Sequence, residues 1–151
     1  MLHVALWEPE IPPNTGNVAR LCAATGTVLH LVGRLGFRID DRHLRRAGLD
    51  YWPFVEIRQH DSLANLESAL SGTRLIPLSS TSRRLYTHLT YQDGDCLLFG
   101  SESKGLPASV LARHDDTAVT IPMPGGRVRS LNLATAVAIV LYEGLRQLHN
   151  W

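Results

Sequence analysis

Cysteine is scarce in this chain of 151 residues, and what is missing around it excludes much. Cys22 and Cys96 lie far apart, each beside apolar neighbours (Leu21 and Ala23; Leu97 and Leu98). They read as two reduced, packed thiols, not a disulfide framework. The histidines are scattered with no H-x-x-x-H spacing, and there is no C-x-x-C, so no metal site is expected. Excess charge of one sign is also lacking: 15 Lys and Arg face 14 Asp and Glu, leaving +1. Any nucleic-acid surface must then come from local clustering. The longest largely apolar stretch, Ala134 to Tyr142, is too short to span a bilayer. The opening residues MLHVALWEPE lack a basic start, so no signal peptide and a cytoplasmic protein are expected. No G-x-G-x-x-G follows the first apolar run and no G-x-x-x-x-G-K-[ST] occurs. The backbone cradles of dinucleotide dehydrogenases and P-loop enzymes are therefore absent.

What is present is ordinary globular composition, 44% hydrophobic and 19% charged, with no linker and no repeat. One domain over 1–151 is expected, long enough to bury about two-thirds of its unfolded surface. Short apolar runs predict strands at Leu2–Trp7, Thr27–Val32, Phe54–Arg58, Arg74–Leu78, Cys96–Phe99 and Thr117–Ile121. Between them, helices are predicted from Asn14 (as cap) to Thr25, from Asp40 or Asp41 to Gly48, from Asp61 or Ser62 to Leu70, and from Pro107 to Arg113. The last and longest is predicted over Leu131–Leu148. Such alternation predicts an α/β fold, a mostly parallel sheet with helices on both faces. The last helix is apolar nearly all round (Leu133, Val137, Leu141, Leu145), which predicts a partner subunit as cover.

Three segments follow predicted strands, where ligands bind in open α/β sheets. In Glu8–Arg20, the residues Asn14, Asn17 and Arg20 step by three and form one polar stripe suited to a phosphate and a hydroxyl. The competing reading is a helix cap and a solvated face. In Leu97–Pro107, Gly100 allows close approach of a ligand to the backbone and Gly105 permits positive φ. An ordinary strand–loop–helix connection would look the same. In Ile121–Leu133, a Pro- and Gly-shaped loop ends in Ser130 and Asn132, either of which could cap the last helix. A fourth stretch, Arg34 to Trp52, interleaves Arg34, Arg38, Arg42, Arg45 and Arg46 with Phe37, Tyr51 and Trp52. That mixture suits unpaired nucleotides, charge for phosphate and rings for bases; a solvated helix face is the alternative.

Taken in order, these segments resemble the three motifs of the TrmH-like class of the SPOUT superfamily of RNA methyltransferases. The first resembles its Asn- and Arg-bearing N-terminal motif, the second its FG-x-E-x-x-G-L motif, the third its IPM…S-x-N-x-x-x-A motif with Ser130, Asn132 and Ala136. More narrowly, Glu8–Cys22, Asp40–Tyr51 and Tyr91–Gly94 resemble bacterial ribose methyltransferases of the tRNA wobble position. The Pro124–Val128 loop is richer in glycine than that pattern, and the Ser101–Lys104 loop differs in detail.

The resemblance implies a SPOUT α/β-knot with a C-terminal trefoil knot, a homodimer, and S-adenosylmethionine as methyl donor. The acceptor it implies is a wobble ribose 2′-hydroxyl, of cytidine or a modified uridine, in the anticodon stem-loop of a tRNA, leucine tRNAs foremost. Another tRNA or ribosomal RNA site, or a silent RNA-binding module of the same fold, are the alternatives. It further implies catalytic roles for Arg20, Asn14, Glu102, Ser130 and Asn132, with Glu102 orienting Arg20. The cofactor is expected against Leu78, Gly100, Ile121, Met123, Ser130 and Leu131, and RNA against Arg45, Arg46, Arg127, Arg129 and Tyr142. A guanidinium stays protonated in proteins, so Arg20 is read as a phosphate clamp and alkoxide stabiliser, not a base.

Overall fold

The structure, a computed structural model, describes residues 1–39 and 51–151. Among the described residues, five strands form one parallel sheet: β1 (His3–Trp7), β2 (Val28–Val32), β3 (Ile57–His60), β4 (Leu75–Pro77) and β5 (Cys96–Phe99), in the order β3-β2-β1-β5-β4. Strands β2 and β5, which flank β1, are buried along their whole length, as apolar runs covered on both faces must be. Among the described residues, four α-helices connect or follow them: α1 (Pro12–Thr25), α2 (Leu63–Ala69), α3 (Ala108–Arg113) and α4 (Leu133–His149).

Strand alternation splits the core in two. Val4, Leu6, Leu29, Leu31, Leu97 and Phe99 face α1 and α4. Ala5, Val32, Cys96 and Leu98 face Leu66 of α2 and Val110 of α3. Cys22 and Cys96 are both buried, one in each half, and burial pushes the Cys22 thiol up to about 12. Both are inert packed thiols.

Several sequence expectations shift. The Phe54–Arg58 strand is displaced to Ile57–His60, because Pro53 favours a 3₁₀ turn at Trp52–Phe54. Helix α1 starts at Pro12 rather than at Asn14, its two prolines occupying the first turn where no amide hydrogen is needed. Asn14 is therefore not a cap; its side chain is free for other work. The expected basic helix from Asp40 or Asp41 to Gly48 lies outside the described residues.

The Thr117–Ile121 strand is reduced to two isolated bridges, Leu78 with Val119 and Leu85 with Thr120. Val119 N donates to Pro77 O and Ser79 N donates to Val119 O, both at 2.9 Å. On the other side, Thr120 N donates to Arg84 O at 2.8 Å and Tyr86 N to Thr120 O at 2.9 Å. Residues 118–120 are thus inserted between two limbs of the earlier 77–86 segment, the arrangement that a knotted chain requires.

The expected reason for a partner subunit also changes. Leu133, Val137, Leu141 and Leu145 pack inside the chain's own core, against α1 and the sheet. The large apolar side chain that α4 exposes is Tyr142, with Trp151 just beyond its end. No helix among the described residues is long and apolar enough to cross a membrane.

Candidate active site

The three segments singled out in the sequence converge at the carboxyl ends of β1, β4 and β5. They enclose a cleft of about 650 Å³, within the range of sites for small molecules and cofactors. Leu78, Gly100, Ile121, Met123, Ser130 and Leu131 all lie on its wall, as do Asn14, Glu102 and Asn132. Leu78, Ile121, Leu131 and Leu133 supply apolar surface, and Ser79, Ser80 and Thr81 supply hydroxyls. Those three hydroxyl residues were not foreseen, although a polar run straight after a strand is a recognisable signal. Among the described residues, the backbone N–H groups of Ile121, Met123 and Leu131 donate to no protein acceptor. An apolar slot edged with free amides and hydroxyls fits a purine, a ribose and a short zwitterionic tail, the parts of S-adenosylmethionine.

Gly100 is required, but for a different reason than expected. A Cβ there would lie 2.2 Å from the carbonyl carbon of Gly105 and 2.4 Å from Leu106 N. The missing side chain makes room for the loop's own return, not for a ligand. Gly105 takes φ +67°, and its N–H closes the loop onto Ser101 O at 2.9 Å.

Glu102 joins the segments. Its carboxylate accepts hydrogen bonds from Glu10 N (2.9 Å), Ile11 N (2.8 Å) and Asn14 Nδ2 (3.2 Å). Asn14 Oδ1 in turn accepts from Asn132 Nδ2 at 3.0 Å, and Asn132 Oδ1 accepts from Thr135 N, capping α4. Asn132, not Ser130, is therefore the cap left open in the sequence. The connection is reciprocated: Glu10 Oε1 accepts from Ser103 N (3.0 Å) and Ser103 Oγ (2.6 Å). These bonds hold the Glu10 carboxyl below its usual range. Two loops over ninety residues apart thus exchange carboxylates with each other's amides, the geometry of a capping box spread across the fold. Glu10 went unnoticed in the sequence because its partner lies so far along the chain.

Arg20 stands apart. Glu102 is committed to amides and does not orient it, and among the described residues Arg20 makes no ion pair. Nor do Asn14, Asn17 and Arg20 share one stripe. Six residues of helix turn the side chain about 120° and carry it about 9 Å along the axis. Asn14 is consequently buried at the cleft while Asn17 and Arg20 face outward. The Arg20 guanidinium lies 4.7 Å from the centre of the Tyr51 ring.

Of the residues expected to meet RNA, Arg127 and Arg129 are exposed on the loop after Met123, and Arg129 reaches the cleft. Tyr142 is 45% exposed on α4, away from the cleft. Arg45 and Arg46 lie outside the described residues.

The description of the SpoU rRNA Methylase family matches residues 1–142. The chain is 50% identical to the tRNA (cytidine(34)-2′-O)-methyltransferase of Escherichia coli strain K12 over 150 residues, covering 98% of this chain and 94% of that protein. A solved structure described as structural insights into the 2-OH methylation of C/U34 on tRNA matches with TM-score 0.95 and 51% identity, covering 100% of this chain and 98% of that one. An AdoMet-bound rRNA methyltransferase from Sinorhizobium meliloti matches with TM-score 0.86 and 29% identity, over 97% of this chain and 56% of that one.

Proposed function

The chain belongs to the SpoU rRNA methylase family, and from that premise we infer a tRNA methyltransferase acting on the ribose of nucleotide 34. It transfers a methyl group from S-adenosylmethionine to the 2′-hydroxyl of cytidine, or of uridine, at that position. The observation that carries this reading is the near-full-length identity of 50%, joined to a cleft walled by all three motifs. We take the substrate to be the anticodon stem-loop, leucine tRNAs foremost. That loop presents unpaired, stackable bases beside phosphates, the form of RNA most readily read by proteins. An enzyme of tRNA is expected in the cytoplasm.

When bound, the sulfonium donor supplies an already activated methyl group. The work left to the protein is alignment and the handling of one proton. The Glu102–Asn14–Asn132 chain fixes the cleft's three walls in register, and Asn14 offers an amide toward the acceptor sugar. Ser130, at the rim, holds the ribose. Arg20 clamps a phosphate beside the acceptor and stabilises the alkoxide as it forms; the proton leaves to that phosphate or to water. Arg127 and Arg129 meet the RNA backbone, as do Arg45 and Arg46, while Tyr142 meets a base or the second subunit.

Because Arg20 and the cleft lie on different sides of α1, the reading includes a homodimer in which the two protomers complete one site. The outward Tyr142 and Trp151 support it. Light scattering should give twice the 16.7 kDa chain mass; a fully active monomer would refute it. The function itself is tested with labelled methyl donor and an anticodon stem-loop, native or with a 2′-deoxy residue at position 34. Label entering the deoxy substrate would exclude the proposed acceptor.

A further inference from the structure

We propose that Tyr51 is a positioning residue for Arg20, its ring face holding the guanidinium in one place before RNA arrives. The inference rests on the reading of Arg20 as a phosphate clamp.

An exposed arginine carries much rotamer freedom, and a clamp that must be ordered at the moment of reaction loses catalytic power to that ordering. Arg20 has no carboxylate to anchor it among the described residues. A carboxylate would in any case compete with phosphate for the same donors. A ring does not: it attracts the cation through its face and leaves the five N–H donors free for an anion. The 4.7 Å separation falls well inside the distance at which such attraction acts.

Tyr51 can serve because it is itself held. It precedes the 3₁₀ turn Trp52–Phe54, and Phe54 N donates to Tyr51 O at 2.9 Å. Trp52 and Val55 on the same turn pack against the core cluster that contains Val18, Ala19 and Cys22 of α1. The turn is thereby fixed to the helix that carries Arg20, and Tyr51, half-buried, presents its face to that side. No comparable aromatic–guanidinium pair occurs elsewhere among the described residues.

The test uses the full-length chain, an anticodon stem-loop and S-adenosylmethionine. Tyr51 is replaced by phenylalanine and then by phenylalanines bearing one, two and three ring fluorines. Shape is nearly kept while the negative charge of the ring face is drained. Turnover should remain within about twofold for Tyr51→Phe and fall progressively with fluorine count. The whole series should span about five- to thirty-fold in kcat. Cofactor affinity by calorimetry and the thermal midpoint should stay constant. A role confined to packing, or one in the tyrosine hydroxyl, would give no trend with fluorination, and a flat series overturns the proposal. Arg20→Ala is measured alongside. If it abolishes transfer while the fluorine series is flat, only the Tyr51 inference fails. If Arg20→Ala transfers methyl at the parent rate, the clamp reading fails, and this proposal with it.

Discussion

Acid should loosen this protein through one buried imidazole. His30 is completely buried on β2 and sits in a row of three rings on one face of the sheet. His3 Nδ1 lies 3.0 Å from His30 Nε2, and His30 Nδ1 lies 2.8 Å from His60 Nε2. Each contact joins one donor to one acceptor, which suits neutral rings; protonating His30 makes it donate from both nitrogens, fixing its neighbours as acceptors. Burial, then the neighbouring His3 and His60, then Arg58 lower the His30 pKa from 6.5 to about 3. Burial lowers His3 and His60 in the same direction.

The sign follows from linkage. Above pH 6.5 the imidazole is neutral whether the chain is folded or not, so His30 contributes no slope. Below it the unfolded chain takes up a proton that the folded chain refuses until about pH 3. Between pH 7.5 and pH 5 this single group removes about 2 kcal/mol of stability. The other two histidines add to the loss. A shift of that size moves the urea midpoint down by about 1 M. Urea unfolding at both pH values, for the parent chain and for His30→Gln, measures it. The amide keeps polar contacts but cannot titrate, so the variant's midpoint should change far less between the two pH values. A parent midpoint that is the same at pH 7.5 and pH 5, or a variant as acid-sensitive as the parent, would refute the reasoning.

Gly100→Ala forces a Cβ against backbone at 2.2 Å, so the cleft loop must move. Calorimetry should show S-adenosylmethionine binding weakened at least about tenfold, the loop shift costing over 1.4 kcal/mol. Asn132→Ala removes both the α4 cap and the bond to Asn14, and denaturant unfolding should register a loss of about 1 kcal/mol, with transfer impaired beyond what stability explains. Asp95 is only 2% exposed and takes two bonds from Arg74, at 2.9 and 2.6 Å. Arg74→Ala removes the cation from that carboxylate, leaving Gln92 N as its donor at 2.7 Å, and should destabilise by about 3 kcal/mol; a thermal midpoint within a degree of the parent would disprove the pairing's importance.

Some of this was legible in the sequence and some was not, for identifiable reasons. The strands at Cys96–Phe99 and Val28–Val32 declared themselves because fully buried parallel strands need unbroken apolar runs. The residues walling the cleft came from motif resemblance, and no periodicity would have brought Leu78, Gly100, Met123 and Leu131 together. The histidine row was invisible for a simpler reason. Only the strand register, which sets Ala5 beside His30 and Val32 beside His60, brings three scattered rings onto one face. The Asn14–Asn17–Arg20 stripe failed because steps of three lag the helical turn, and two such steps are enough to leave the face. Glu102 was read as serving Arg20 because sequence shows charge signs and not distances. Two backbone amides and Asn14 hold it instead.

The insertion of residues 118–120 between the limbs of 77–86 sets an order of events in time. On the ribosome, β4 and both limbs emerge well before the segment that will separate them. Until that segment arrives, Pro77 and Ser79 on one limb and Arg84 and Tyr86 on the other lack the partners that they hold in the finished chain. A nascent chain that has emerged only as far as about residue 110 therefore displays an unpaired parallel edge, the template on which strands of other chains add. The limbs must also stay apart rather than close on each other, or the later segment has no way in. Protection of the sheet's rim is thus delegated to residues made about thirty positions later, and the window between the two is when a chaperone would matter most.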